Sequence, residues 1–331
     1  MEIKKKIHKF VIFIISPGEY HYKNIVLSIL GINLFRIIFH KLQEFIKNSF
    51  YFLFLNKRQT DKKLLDILEK DGLIMIPNFF KEKKFKTMER NCKKILDSLA
   101  WKKFRNNGGL IKTISIDEYS SGKEKREIFE IFTKNMIIKN LILEDMKVLF
   151  YWNPRVVLQE IYFPKGTKDL DDSVQILHSD RFVKHLKVFF YLNDQNEDNG
   201  AYVYAKKTHR YNLHRVFHEI EMDFRMSKNY LLRKHKLKTD KLHNSNYNEI
   251  RPFFQNILKV KPFSVNGKKN TLVVSNNIGF HARGKMLEKR RRIQIRIQYQ
   301  YLTINIFKIL FINVLNFFLK NFLKKKKILF N

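Results

Sequence analysis

A single cysteine, Cys92, stands in 331 residues. That excludes an intramolecular disulfide framework and any cysteine-rich zinc or iron–sulfur site, and it is compatible with a reducing cytosol. Acidic residues are scarce too: 31 Asp and Glu face 65 Lys and Arg, a formal net charge of +34. Nucleophile-elbow, phosphate-loop and dinucleotide-binding fingerprints are absent, as are internal repeats and long low-complexity linkers. The apolar run 10–15 behind Lys4, Lys5 and Lys6 has six residues. A secretory h-region needs about 7–15, so the run reads as a short strand or buried segment. The stretch 25–39 (IVLSILGINLFRIIF) has fifteen residues and contains Asn33 and Arg36. That falls short of the roughly 20 that span a bilayer.

What is present is a chain able to pack. Hydrophobic residues make up 44%, with 31 Phe, which argues against a disordered or fibrous protein. The length suits one large domain or two ordinary ones. The positive charge has two readings. One is an anionic partner, a nucleic acid or a membrane surface. The other is codon bias, because Lys, Asn, Ile and Phe are the residues AT-rich codons encode. The basic residues comprise 48 Lys and only 17 Arg, and the Lys are scattered along the chain. That distribution follows bias and not a nucleic-acid groove, so no nucleic-acid partner is expected.

Local patterning divides the chain. Within 22–56 we expect one or two helices, packed on the body or lying on a membrane surface. Thr60-Asp61 starts a helix carrying Leu64, Leu65, Ile67 and Leu68, and Asp71-Gly72 ends it. Residues 73–76 form a short strand stopped by Pro77. Phe85, Met88, Cys92, Ile95, Leu96 and Leu99 recur at helical spacing, which places Cys92 on an apolar face as an inert core residue. Beyond 155 the pattern changes to short β-runs at 156–163, 187–192, 202–205, 271–275 and 293–299, separated by polar turns. This suggests an antiparallel barrel or jelly roll. Between the runs, 211–258 is basic and reads as helix or loop. In the tail 303–331, Asn305, Lys308, Asn313, Asn316 and Lys320 fall on one helical face ahead of 324–327, four Lys. That helix is either an interfacial membrane anchor or a terminal helix docked on its own domain or a second copy.

The chemistry-bearing residues begin with His178-Ser179-Asp180. A His and a carboxylate two apart on a strand point to the same side and can share a metal. A second His from a distant strand completes a two-His, one-carboxylate face with open positions, which suits non-haem Fe(II) oxygen chemistry. The motif alone is weak: from 11 His and 31 acidic residues, about one His-x-Asp/Glu arises by chance, and one is found. Its surroundings carry more weight. Upstream is "VVLQEIYFPKGT". Downstream comes "LKVFFYLNDQNEDNGAYVYAKKTHR" (186–210), a strand, an acidic Asn-Gly turn and another strand. Then follows "NTLVVSNNIGFHARGKMLEKRRRIQIRIQY" (270–299), with Gly279-Phe280-His281 after one strand and Arg290, Arg291 and Arg292 opening the next.

In these segments the chain resembles the phytanoyl-CoA dioxygenase family of Fe(II)/2-oxoglutarate oxygenases, over roughly 65–302. The resemblance implies an α+β, mainly β fold: a double-stranded β-helix (jelly-roll) core with N-terminal helices and a helical insert. It implies Fe(II) on His178, Asp180 and His281, 2-oxoglutarate as cosubstrate and O₂ as oxidant. An Arg about 11 residues after the distal His would hold the far carboxylate of 2-oxoglutarate, which points to Arg292. Register leaves Arg291 as the alternative, since a one-residue slip on a strand reverses the face. Arg292 shares its face with Gln294, Arg296 and Gln298, whereas Arg291 shares its face with Ile293, Ile295 and Ile297. The polar face suits a metal-site interior, so Arg292 is preferred. Two departures stand out. Lys207-Thr208-His209 replaces a Gly-Ser-His turn, and Ala282 displaces an expected Arg to Arg283. His185, His209, His214 and His218 are read as surface or hydrogen-bonded residues and not as ligands, His209 as one that fixes a turn or supports a ligand. Asp180 itself favours hydroxylation or desaturation, because related halogenases carry a small residue there.

The expected layout is an N-terminal extension (1–58), an oxygenase domain (59–302) and an amphipathic basic tail (303–331). The expected partner is a small-molecule substrate, anionic or carrier-linked given the basic 211–258 stretch. The expected location is the cytoplasm, with peripheral membrane contact through the two ends. Two other classes remain open: a non-catalytic basic membrane-surface or nucleic-acid-associated protein, and a zinc-dependent hydrolase using the same three ligands.

Overall fold

The computed structural model describes residues 61–104, 108–146, 152–169, 174–180, 186–222, 248–250 and 252–300, preceded by three helical positions, Ile38, Leu42 and Phe45. The rest of the expected 22–56 helices, the 303–331 tail and the middle of the 211–258 stretch lie outside the described residues.

Helix α1 (Lys62–Asp71) begins where Asp61 accepts hydrogen bonds from the backbone N–H groups of Lys63 and Leu64, satisfying donors that a helix start leaves open. It ends at Gly72, whose φ of 77° lets its N–H return to the Leu68 carbonyl at 2.8 Å. Strand β1 (Leu73–Ile76) follows, then α2 (Glu82–Asp97). The latter begins three residues before its apolar periodicity does, because its first turn is polar. Cys92 is buried on α2, and burial, with Glu89 nearby, pushes its thiol far up. It is a packing residue with little thiolate character. Residues whose pattern indicates no clear element from sequence form a hairpin, β2 (Lys102–Phe104) with β3 (Gly109–Ile116), and helices α3 (Lys123–Thr133) and α4 (Met136–Met146).

The strands that follow are β4 (Trp152–Tyr162), β5 (His178–Ser179), β6 (Leu186–Tyr191), β7 (Tyr202–Ala205), β8 (Asn248–Glu249), β9 (Pro262–Ser264), β10 (Leu272–Asn276), β11 (His281–Arg283) and β12 (Arg291–Gln300). Between them lie α5, at 213–222, and α6 (Pro252–Ile257). All pairings are antiparallel, in a seven-stranded sheet β1-β10-β6-β12-β4-β3-β2 and a five-stranded sheet β8-β5-β11-β7-β9. Strands β4, β6, β10 and β12 interleave along the chain with β5, β7, β9 and β11 of the opposite sheet, the chain crossing between sheets at each step except from β7 to β9. This interleaving is the double-stranded β-helix, or jelly roll, with β1–β3 and β8 added at the edges.

Side-chain alternation sorts the two faces of the large sheet. Val156, Leu158, Val188, Phe190, Leu272, Val274, Ile295 and Ile297 face the helices and join α1–α4 in the main core. Phe190 is its aromatic centre, with ring centroids of Phe80, Phe85 and Phe132 at 5.3, 6.1 and 5.4 Å. The opposite parity, Phe189, Tyr191 and Val273, meets Tyr202, Tyr204 and Val265 between the sheets. The polar inner residues of β12 therefore point into the space where the two sheets meet. No helix among the described residues is long and apolar enough to cross a membrane.

Candidate metal centre

Strands β5 and β11 are neighbours in the smaller sheet, and His178 is paired directly with His281. Cross-strand partners project to the same face, so the imidazoles lie side by side with centroids 4.6 Å apart. Asp180, two residues beyond His178, turns to the same side. One ligand atom from each of the three residues lies within 4.8 Å of the others. The His178 Nε2 and His281 Nε2 atoms are 3.8 and 3.4 Å from Asp180 Oδ1.

Backbone carbonyls set the imidazole tautomers. His178 Nδ1 is 2.7 Å from the Ile176 carbonyl, and His281 Nδ1 is 2.9 Å from the Gly279 carbonyl. A carbonyl only accepts, so each Nδ1 carries the proton and each Nε2 presents a lone pair toward the carboxylate. Three acceptors facing one another repel unless a cation lies among them. Burial first, then His281, pulls the His178 pKa down to about 3, so a proton is a poor candidate at neutral pH. Burial by itself would raise the Asp180 carboxyl. Lys187, His281 and His178 outweigh it and hold the group well below the usual carboxylate range. The donor set, two nitrogens and one oxygen without sulfur, fits a mid-row divalent metal.

The carboxylate has its two oxygens divided. Oδ1 faces the imidazoles, while Oδ2 is ion-paired with Lys187 of β6 and accepts from Asn277 Nδ2 at 2.8 Å. Asn277 also approaches His281 Nε2 at 3.2 Å, and its own carbonyl oxygen accepts from the Ser275 hydroxyl at 3.0 Å. Lys187 and Asn277 were not singled out by sequence. Lys187 was visible as a lysine on the inward parity of an apolar strand, whereas Asn277 carries no such mark.

The three consecutive arginines separate by face. Arg290 is exposed and pairs with Asp198 at 3.1 Å. Arg291 is on the helix-side parity, paired with Glu160 at 3.3 Å and lying over the Tyr162 ring. Arg292 is 5% exposed on the inner face of β12. Its guanidinium donates to the Gly200 carbonyl, and its buried Nε has no acceptor among the described residues. Burial, then the nearby Arg283, lowers its pKa to about 9. Arg283 is held by Asp169 through two bonds of 2.5 and 2.8 Å, and Asp169 also accepts from the Met286 N–H at 2.9 Å.

Among the described residues, the remaining histidines stand apart from this cluster. His209 Nε2 is 2.9 Å from the Glu69 carbonyl, fixing a turn against α1, and His218 lies between the Phe254 and Phe280 rings. His214 is exposed, and His185 is outside the described residues. Lys207 adopts φ 66°, the left-handed conformation that glycine takes at no steric cost. Thr208 keeps a tie to the site by accepting from the Phe280 N–H at 2.8 Å.

No family model matches the chain, and no curated protein sequence matches it. Solved structures are similar in chain path. The epimerase SnoN, in complex with Fe3+, alpha ketoglutarate and nogalamycin RO, aligns over 73% of this chain and 84% of its own at 12% identity, with a TM-score of 0.47. A Pseudomonas putida prolyl-4-hydroxylase aligns over 72% of this chain and 97% of its own, at 12% identity and a TM-score of 0.42. EctD from S. alaskensis aligns over 75% and 80%, at 9% identity and a TM-score of 0.43. Likeness at this level assigns no chemistry to the present chain, which is read from the side chains above.

Proposed function

We propose that this protein is an Fe(II)/2-oxoglutarate-dependent dioxygenase, similar to the phytanoyl-CoA dioxygenases, that hydroxylates an unactivated C–H bond of a small molecule. One observation carries the reading: two imidazole nitrogens and a carboxylate oxygen converge as acceptors, in the same barrel interior as a buried arginine whose Nε has no acceptor among the described residues. His178, Asp180 and His281 would hold the iron. Arg292 would hold the far carboxylate of 2-oxoglutarate, since a planar fork of donors matches a carboxylate. Bound there, Fe(II) supplies activation of O₂ coupled to oxidation of 2-oxoglutarate to succinate and CO₂. The chain's own part is position and dryness. Ile176 and Gly279 carbonyls orient the imidazoles, Lys187 and Asn277 occupy one carboxylate oxygen and leave the other facing the imidazoles, and the Tyr202 ring lies 5.6 Å from that of His281 with Phe189 packed against it.

A zinc-dependent hydrolase would use the same three ligands, and a non-catalytic surface-binding protein would need none of them. Arg292 favours the oxygenase, because neither alternative needs a guanidinium buried in the barrel interior. The same reading extends to residues 59–302 as the catalytic unit. It includes an anionic or carrier-linked substrate met by the basic 211–258 stretch, a cytoplasmic setting and membrane-surface contact through 1–58 and 303–331. Purified protein loaded anaerobically with Fe(II) should bind 2-oxoglutarate and release succinate only when O₂ is admitted. Metal binding without 2-oxoglutarate binding overturns the proposal in favour of the hydrolase. Full metal affinity in His178→Ala, Asp180→Ala and His281→Ala overturns the ligand assignment.

A further inference from the structure

Helix α5 carries a buried ion pair that the proposed chemistry does not use. Arg215 is 1% exposed and is the largest fully buried side chain among the described residues. It is in the first turn, where the Asn212 side chain accepts from its backbone N–H at 2.8 Å. Its Nε donates to Glu219 Oε1, one helical turn on, at 2.8 Å. That carboxylate fixes the plane of the guanidinium and compensates its charge in the interior. The other donors leave the helix. One reaches the Thr208 carbonyl at 3.2 Å, and another serves the Ser179 hydroxyl at 3.0 Å and the Ile278 carbonyl at 2.9 Å. The guanidinium also lies 4.0 Å from the centroid of the Phe280 ring.

These partners are placed meaningfully. Ser179 separates His178 from Asp180. Ile278 and Phe280 belong to the short turn that delivers His281. Thr208 ends the turn after β7 and is tied to that same delivering turn through the Phe280 N–H. Three chain segments distant in sequence are therefore held at one planar cation. Two of them carry every residue of the metal cluster. Lysine cannot substitute here, because a compact ammonium lacks the in-plane fork that serves several acceptors at once.

We infer that Arg215, held in plane by Glu219, is a positioning residue for the metal centre: it sets the spacing between the His178–Asp180 segment and the His281 turn. The inference rests on the proposed ligand set. It makes α5, the described start of the basic insert, part of the machinery that shapes the site.

The test uses Co(II) added to the full-length, metal-free protein, read by titration and by the visible d–d spectrum, which reports ligand geometry without any turnover. Thermal unfolding is recorded in parallel. Wild type and His281→Ala come first: Co(II) binding that His281→Ala abolishes establishes the centre. Ser179→Ala then removes one hydroxyl and leaves the Arg215–Glu219 pair in place, so the fold is retained even where Arg215→Lys fails to fold. Positioning predicts a 10–100-fold loss of Co(II) affinity, of the order of effects of residues that orient metal ligands, and an altered spectrum in Ser179→Ala and in Arg215→Lys. A lowered melting temperature with unchanged affinity and spectrum overturns the inference and leaves the metal centre standing. A wild type that binds no Co(II), or binds it equally in His281→Ala, overturns the ligand set and this inference together.

Discussion

Replacing Arg292 by methionine should move stability and cosubstrate affinity in opposite directions. Methionine keeps much of the length and flexibility of arginine and removes the charge. In the ligand-free protein the guanidinium is buried, donates to the Gly200 carbonyl, and has its pKa lowered from the ordinary arginine range to about 9 by burial and by Arg283. At about 1.4 kcal/mol for each factor of ten in proton affinity, a displacement of that kind corresponds to several kcal/mol of unfavourable burial. Against it stands the loss of the bond to Gly200, which leaves a buried carbonyl unsatisfied at a cost of about 1–3 kcal/mol. The net expectation for Arg292→Met is a gain of about 2 kcal/mol, or roughly 4–8 °C in melting temperature for a domain of 150–250 residues. The folded pKa lies below the unfolded value, so the penalty is fully present below about pH 9 and is relieved as pH rises beyond it toward the ordinary arginine value. The gap between variant and wild type should therefore be constant at pH 6–8 and narrow in alkali. For 2-oxoglutarate, losing two charge-assisted hydrogen bonds at about 1.5–3 kcal/mol each predicts a fall in affinity of roughly 10²–10⁴-fold. Urea unfolding of the metal-free protein and calorimetric titration of the metal-loaded protein measure the two effects. A variant that loses stability and keeps its affinity would refute the reasoning and make Arg292 an ordinary structural residue. Arg291→Met serves as the control and should change 2-oxoglutarate affinity by less than about threefold, since exposed pairs of this kind contribute only about 0–1 kcal/mol.

Three further expectations are independent of that one. Metal-free protein should lose stability as pH falls from 6.5 toward 3 at up to about 1.4 kcal/mol per pH unit, because the unfolded chain protonates His178 while the folded chain keeps it neutral down to about 3. Asp180 adds a contribution of the same sign below its unfolded value of 3.8. Urea midpoints that do not shift between pH 7 and 4 would contradict this. Asn277→Ala removes the donor to Asp180 Oδ2 and should weaken metal binding about 10–100-fold in an equilibrium titration, with the far-ultraviolet spectrum unchanged. Lys207→Gly relieves a left-handed residue at φ 66° and should raise the free energy of unfolding by about 1 kcal/mol. A loss of stability there would mean that the Lys207 side chain contributes more than its backbone strain costs.

Much of the site was legible before the fold was known. His178 and Asp180 carry a two-residue strand spacing, and His281 follows a Gly-Phe in a turn between two β-runs. Arg292 could be preferred over Arg291 by parity alone, since β12 alternates Ile with polar residues and a strand turns alternate side chains to opposite faces. Other residues gave no local sign. Asp169, 114 residues from the Arg283 it clamps, sits in an irregular segment without periodicity. Arg215 and Glu219 show an i, i+4 spacing that most often marks a solvated helix face, and nothing local distinguishes them as a buried pair. The β2–β3 hairpin and helices α3 and α4 also escaped the sequence pattern, and so did strands as short as β8 and β11, whose two or three residues cannot display a period.

The sequence by itself determined the alternation of the long strands, the ends of α1, the inert place of Cys92 and the identity of the candidate ligands. Each of these depends on residues close enough in the chain to interact through local geometry. Only the tertiary structure decided that His178 and His281 are cross-strand partners, that Lys187 and Asn277 share one oxygen of Asp180, and that Arg215 joins three distant segments. Those relations exist because two sheets close over each other and bury the charges. Burial and convergence depend on what the chain packs against, and no local stretch of sequence encodes that.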